Sequence, residues 1–389
     1  MIAYHDKTLD QLSINHEARM ALERRLILKN EYEAINKAYP VALYRPNIFI
    51  RIGLFLVTVV IVFMSYGLLL LLGGSALGSN GVWATVTIIF GLLIYASLEW
   101  LIYYKRHYRS GVDDALLWSS LGYIIGAAGV FMNLSELAMS LLIFVLSSAA
   151  TIRFANSVMS AVMFSSFIAI IFYSVTPLGN IAKFILPFII MVVSILIYWM
   201  ISLVRDKNKL RHYRYCFKMW TFLSLITLYV SVNYFVVREL TIQLFGVQLP
   251  EGTSIPGGWF FWITTIVIPP LYMMRGLQTK YSLMLRTGML LLVATVFTIR
   301  YYYSVAPIEQ VMTVGGIILI LSAYFIIKYL RTPKSGVTDQ EPEYEDQQGA
   351  LQLEAIVIAE TFQKEAPPSE GGFRFGGGSS GGGGASGEY

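Results

Sequence analysis

IFIRIGLFLVTVVIVFMSYGLLLLLG, residues 48–73, contains a single charged side chain, Arg51. A helix needs roughly 20 apolar residues to cross the hydrocarbon core of a bilayer. With no water there to satisfy backbone N–H and C=O groups, only a helix or a closed barrel can span it. An unbroken apolar run reads as the helix. Runs of the same character follow at 83–104, 114–132, 135–152, 157–175, 181–204, 215–237, 258–276, 281–302 and 308–330. The chain is therefore expected to be all-α, a polytopic transmembrane helical bundle of about ten spans with the lipid bilayer as its solvent.

Composition agrees. Hydrophobic residues make up 56% of the chain and charged residues 14%, against about 25% charged in an ordinary soluble domain. Three regions result: a helical N-terminal segment, 1–47; a transmembrane domain, 48–330; and a tail, 331–389, acidic at first and then rich in Gly and Ser. A net charge of +5 would suggest nucleic acid in a soluble protein. Here it follows from the gathering of Lys and Arg in cytoplasmic loops, and no nucleic-acid partner is expected. The single cysteine, Cys216, excludes an internal disulfide and a Cys-based metal site.

The basic residues orient the bundle. Arg19, Arg24, Arg25, Lys29, Lys37, Arg45 and Arg51 precede or open the first span. Lys105, Arg106 and Arg109 lie between the second and third, Arg153 between the fourth and fifth, and Arg205, Lys207, Lys209, Arg211 and Arg214 between the sixth and seventh. Arg275 and Lys280 flank the next such turn, and Lys328, Arg331 and Lys334 follow the last span. Basic loops thus alternate with loops of the other side, as the positive-inside rule requires. Both termini are expected in the cytoplasm, with the spans in a bacterial inner (cytoplasmic) membrane. The charged first 47 residues do not read as a cleaved signal, so the first span is expected to stay as an anchor.

Residues 8–39 read as one helix, with Thr8 and Gln11 as a capping box and Pro40 as its stop. It is either a docking helix or a solvated helix lying on its own loops. "RHYR" occurs at 106–109 and again at 211–214. That is either the relic of a duplication or a coincidence between two basic, aromatic loops.

Charges inside spans are the natural place for chemistry, because each costs about 2.5–3.5 kcal/mol at a helix centre on insertion scales. Glu99 sits near the end of the second span, Asp113 and Asp114 open the third, Arg153 follows the fourth, and His107 lies in a loop between. Together they are a candidate polar pocket for a cation, a proton path or a lipid headgroup. Each also has a plainer reading. Aspartates suit a helix N-terminus, Arg153 can snorkel, and Glu99 can pair with Lys105, Arg106 or Arg153. Gly122, Gly126 and Gly129 offer small residues for close helix packing. Pro187 and Pro269-Pro270 are either plain kinks or marks of the broken helices that line transport sites. The chain has no P-loop, no metal-type His/Glu pair at helical spacing and no Gly-x-Ser-x-Gly elbow. No catalytic residue, metal or cofactor is assigned.

Three segments resemble an uncharacterised family of bacterial multi-pass membrane proteins. They are Tyr44-Arg45-Pro46-Asn47 running into the first span, Ser110-Gly111-Val112-Asp113-Asp114-Ala115-Leu116-Leu117 opening the third, and the tail from Phe375 to Tyr389. That resemblance covers the full chain and implies a fold and a location without an activity. The tail is also similar to the Gly-rich, aromatic-ended cytoplasmic tail of membrane-anchored TPM-domain proteins. Those tails carry an aromatic among the glycines where this chain has Ser380. No outer loop is long enough to hold a TPM domain, so the comparison is confined to the tail.

The tail carries the functional expectation. Asp339, Glu341, Glu343, Glu345 and Asp346 form an acidic spacer of disordered composition, followed by an apolar island at 350–362 and then Phe373, Phe375 and Tyr389 in Gly-rich chain. Sparse anchors on flexible chain suit coupled folding and binding. The protein is expected to be a non-enzymatic scaffold or assembly protein that binds a cytoplasmic protein partner through Phe373, Phe375 and Tyr389. A small-solute or lipid transporter with Glu99 near the path is the second reading. An enzyme acting on lipid headgroups through Glu99, His107, Asp113 and Asp114 is the third, and it requires those groups in one cavity.

Overall fold

The computed structural model describes residues 3–4, 6–23, 26–41, 43–73, 80–205, 208–245 and 255–302, with scattered positions between 310 and 328. Among these the regular elements are helices: α1 (Asp6–Glu23), α2 (Lys29–Ala38), α3 (Ile48–Gly73), α4 (Asn80–Lys105), α5 (Val112–Phe131), α6 (Glu136–Phe154), α7 (Ser157–Val175), α8 (Asn180–Val204), α9 (Arg214–Val232), α10 (Tyr234–Phe245), α11 (Gly258–Gln278) and α12 (Ser282–Tyr302). Among the described residues, nine helices, α3 to α9 with α11 and α12, are long and apolar enough to cross a bilayer. The protein is a multi-pass, all-α membrane protein. The expected tenth span, 308–330, lies mostly outside the described residues, and the tail with Phe373, Phe375 and Tyr389 lies wholly outside them.

Short connections make sequential neighbours pack as antiparallel pairs: α4 with α5, α6 with α7, α8 with α9, and α11 with α12. Across the pairs, α3 lies on α5, α7 on α9, and α9 on α12. Val62 is the one buried residue of α3. This helix is nevertheless fixed along its length. Phe55 meets Trp118 edge-on at 5.2 Å, the Tyr66 ring lies 4.6 Å from Tyr123, and the Tyr66 hydroxyl bonds Thr87 at 2.8 Å.

The two Arg-His-Tyr-Arg loops occupy corresponding places. Each leads into the second helix of a pair, α5 or α9. Just beyond them, Gly111 abuts the α3 backbone at Arg51 and Phe55, and the Cys216 carbonyl accepts from Ser160 of α7 at 3.4 Å. One and the same residue offset separates the loops, Gly111 from Cys216, and Phe55 from Ser160.

Three expectations are corrected. The N-terminal segment is a helical hairpin, not one helix. It begins at Asp6, so Thr8 lies within the first turns and is not a cap. Among its described residues α1 buries Leu9 and Ala18, a thin stripe for one long helix, and the Asn15 side chain instead donates to the Tyr39 carbonyl at 2.8 Å, folding α2 back. The glycines of α5 are the second correction, in part: a Cβ on Gly129 would press on the Met139 methyl of α6 at 2.6 Å, so that position does allow close packing, but the other two do not. A Cβ on Gly122 or Gly126 would meet nothing within 4 Å, whereas one on Gly91 of α4 would press on Ile124 at 2.8 Å and the Ser120 carbonyl at 3.0 Å. The close approach of α4 and α5 therefore comes from the other helix.

The seventh span is the third correction: it stops at Val232, not 237. Asn233 is extended, with φ −75° and ψ 127°, and its Oδ1 accepts from the Val236 N–H at 3.2 Å as the N-cap of α10. Its amide donates to Tyr229 Oη at 2.9 Å and Thr298 Oγ1 at 3.1 Å. Tyr229 in turn meets Thr295 at 2.9 Å, and Thr295 donates to the Thr265 carbonyl at 3.0 Å. That carbonyl is the acceptor that Pro269, lacking an N–H, leaves free four residues on. The proline kink and the helix break thus complete each other within one buried network.

Candidate functional site

The turn from α4 into α5 builds the site. Arg106 and Arg109 adopt φ of 52° and 49°, and Gly111 φ of 92°. These reversals aim successive amides inward at Asp113. Its carboxylate accepts the N–H groups of Arg109 (2.7 Å), Ser110 (2.9 Å) and Gly111 (3.1 Å), and the Ser110 hydroxyl at 3.1 Å. Hydrogen bonds to a charged group contribute about 1.5–3 kcal/mol each, and the dipole of α5 favours the same charge. Asp113 is the anion around which the loop folds.

The Ser110 hydroxyl gives its proton to Asp113 and so accepts from His107 Nδ1 at 2.8 Å. This hydrogen-bond pattern puts a proton on His107 Nδ1. Burial lowers the His107 pKa below the usual imidazole value; Asp113 pulls it up and Lys105 pushes it further down. His107, Ser110 and Asp113 are the residue types of a hydrolase triad in an order that cannot work as one. The serine stands between the other two and is fully buried, whereas a nucleophile must face its base and its substrate. The Tyr44 ring lies 4.8 Å from His107, and the Tyr44 N–H donates to the Arg106 carbonyl at 3.1 Å. The segment before α3 is thereby stitched to the loop.

Asp114 faces other partners. Arg51 Nη2 of α3 lies 2.6 Å from its Oδ2, and Asn156 Nδ2 lies 2.8 Å from its Oδ1. Asn156 is itself the N-cap of α7, accepting from Val158 and Met159 at 2.9 and 3.1 Å. One carboxylate thus ties the starts of three helices. Glu99 belongs to a separate cluster. Arg153 Nε and Nη2 both approach it at 3.1 Å, and Tyr95 donates to it at 2.8 Å. Arg153 and Asn156 flank the α6–α7 turn, where Ala155 is left-handed at φ 50°.

The N-terminal segment closes this end. The Ala3 N–H donates to the Arg153 carbonyl at 2.7 Å, and Tyr213 Oη of the second loop donates to the Ile152 carbonyl at 2.7 Å. Two free carbonyls at the end of α6 are satisfied in this way. Tyr4 packs on the core formed by Leu98, Ile102, Leu117 and Phe154, with its ring 4.9 Å from Tyr108. Burial, then the nearby Asp113, raises the Tyr4 pKa well above that of a free phenol.

Of the expected pocket residues, the structure brings His107, Asp113 and Asp114 together and sets Glu99 with Arg153 apart. Ser110, Arg51, Asn156, Tyr95 and Tyr4 complete the two clusters. Arg51 was marked by being the lone charge of its span, and Asn156 by the N-cap preference for Asn before an apolar helix. Among the described residues no group of three or more His, Cys, Asp or Glu side chains is placed to hold a metal ion. No protein-family model, no curated protein and no solved structure matches the chain.

Proposed function

We propose that the protein is a non-enzymatic scaffold or assembly protein of the bacterial inner membrane that engages a cytoplasmic protein partner through its tail. The supporting observation is the use made of its carboxylates. Asp113 is occupied by four donors, Asp114 by Arg51 and Asn156, and Glu99 by Arg153 and Tyr95. Each joins helix to helix or helix to loop. Groups spent on holding a bundle end rigid suit a platform better than a proton-transfer site, which needs an acid or base within reach of a substrate. The tail supplies the recognition element: an acidic spacer, an apolar island, then Phe373, Phe375 and Tyr389. Truncating residues 371–389 is expected to remove specific proteins from those that co-purify with the membrane-extracted chain, and replacing the three aromatics by alanine should remove the same ones. An unchanged set after truncation would rule the reading out.

A small-solute or lipid transporter is the second reading, favoured by the helix break at Asn233, since interrupted helices line transport sites. Flux into proteoliposomes separates the two; Glu99→Gln with wild-type flux would remove that residue from any path.

A further inference from the structure

The second Arg-His-Tyr-Arg loop leaves a basic stripe whose role the platform reading does not use. Arg211 lies in the last turn of the short 3₁₀ segment Asn208–Tyr213, Arg214 opens α9 and Lys218 follows one turn later. Arg214 and Lys218, four apart on α9, share one helix face, and Arg211 sits in the turn just before them. Tyr215 lies alongside, with Lys218 Nζ 6.0 Å and the Arg109 guanidinium 4.5 Å from its ring. Among the described residues, Arg109, Arg214 and Lys218 have no ion pair. The anion on the stripe is Asp10 of α1, 2.6 Å from Arg211 Nη2 and 3.9 Å from His212 Nε2.

We propose that this stripe is a binding site for a phosphate group, carried by an anionic lipid headgroup, and that Asp10 occupies it as an internal substitute. Guanidinium forks match phosphate oxygens bidentately, and the stripe sits where the α9 span begins, the depth at which headgroup phosphates lie. The Asp10–Arg211 pair is weakly held, with side chains 35% and 53% exposed. Such exposed pairs contribute little to stability, so a ligand of higher charge exchanges with Asp10 readily. Tyr4, buried beside Tyr108, keeps the start of the segment attached while α1 lifts from Arg211. Phosphate binding at the stripe and release of α1 are then one linked event.

Hydrogen exchange of residues 8–18 in the full chain reads that event. The chain is placed in nanodiscs of phosphatidylcholine alone or with about one-third phosphatidic acid. Exchange at least tenfold faster with phosphatidic acid is expected. Asp10→Asn uncouples α1 from the stripe and should exchange at the same rate in both lipids. Arg214→Gln, which keeps the Asp10 pair, should stay slow in both. Inorganic phosphate added to the phosphatidylcholine discs, against sodium chloride of equal ionic strength, distinguishes the sources. Acceleration by phosphate and not by phosphatidic acid assigns the site to the free ion, and acceleration by both assigns it to the shared chemistry. Equal exchange in all four conditions, acceleration by chloride as large as by phosphate, or a full lipid response in Arg214→Gln would overturn the proposal.

Discussion

Gly111 and Arg51 meet backbone to backbone: a Cβ on Gly111 would overlap the Arg51 carbonyl oxygen and reach the Phe55 nitrogen at 3.1 Å. The glycine also sits at φ 92°, where L side chains are strained. Two independent penalties therefore fall on one position, about 1–3 kcal/mol for the backbone and about 1–3 kcal/mol for overpacking. Gly111→Ala is expected to lower the unfolding midpoint in detergent sharply and to loosen α3, whereas Gly126→Ala, with open space around it, should change it little. Similar midpoints for the two variants would show that the contact does not hold α3.

The Arg51–Asp114 pair adds a charge to the aromatic and backbone contacts that hold α3. Asp114 is the more enclosed partner, 12% exposed against 32% for Arg51. Removing the cation leaves an uncompensated carboxylate; removing both leaves none. Arg51→Met should cost about 1–3 kcal/mol, the range for a hydrogen bond to a charged group, and Asp114→Asn less, since Asn156 can still donate to its side-chain oxygen. In the double variant much of the loss should return. Additive losses in the double-mutant cycle would mean the two side chains do not act as a unit.

His107 makes the bundle end sensitive to acid. Its folded pKa lies below the imidazole value of about 6.5, because burial disfavours the cation. The unfolded chain therefore binds the proton first, and stability falls as pH drops through the window below about 6.5. His107→Asn keeps an N–H donor for Ser110 and has nothing to titrate. Between pH 7.5 and 5 the wild-type melting temperature should fall further than that of His107→Asn. Parallel curves would place the acid sensitivity elsewhere.

Much of the fold was legible because lipid imposes continuous apolar surface. The runs at 48–73 and 157–175 coincide with α3 and α7, and 281–302 with α12 to within one residue. The pairing of Glu99 with Arg153 was one of three choices, all at the same end of the spans. The Arg51–Asp114–Asn156 link was not readable, since it needs the relative rotation of α3, α5 and α7, which apolar periodicity in a bilayer does not encode. Helix-facing positions are small or hydroxylated and lipid-facing ones large and apolar, a bias that marks a face without saying which polar groups on different helices meet. Asn233 was hidden for the same reason. It interrupts an apolar run by one letter, and its partners Thr298 and Tyr229 lie on two different helices.

Asn233 allows the sharpest test of what ends a membrane helix here. It does two jobs: Oδ1 caps α10 at Val236, and Nδ2 joins Tyr229 and Thr298. Losing an Asn cap costs about 0.5–2 kcal/mol, while an interhelical hydrogen bond in a membrane averages about 0.6 kcal/mol. Asn233→Ala removes both and should cost about 1–3 kcal/mol by these figures. Thr298→Val removes one interhelical bond, leaves the cap, and should cost under about 1 kcal/mol. Denaturant titration in detergent gives both values. If Thr298→Val proves as costly as Asn233→Ala, the cross-helix bonds and not the cap set the break between α9 and α10.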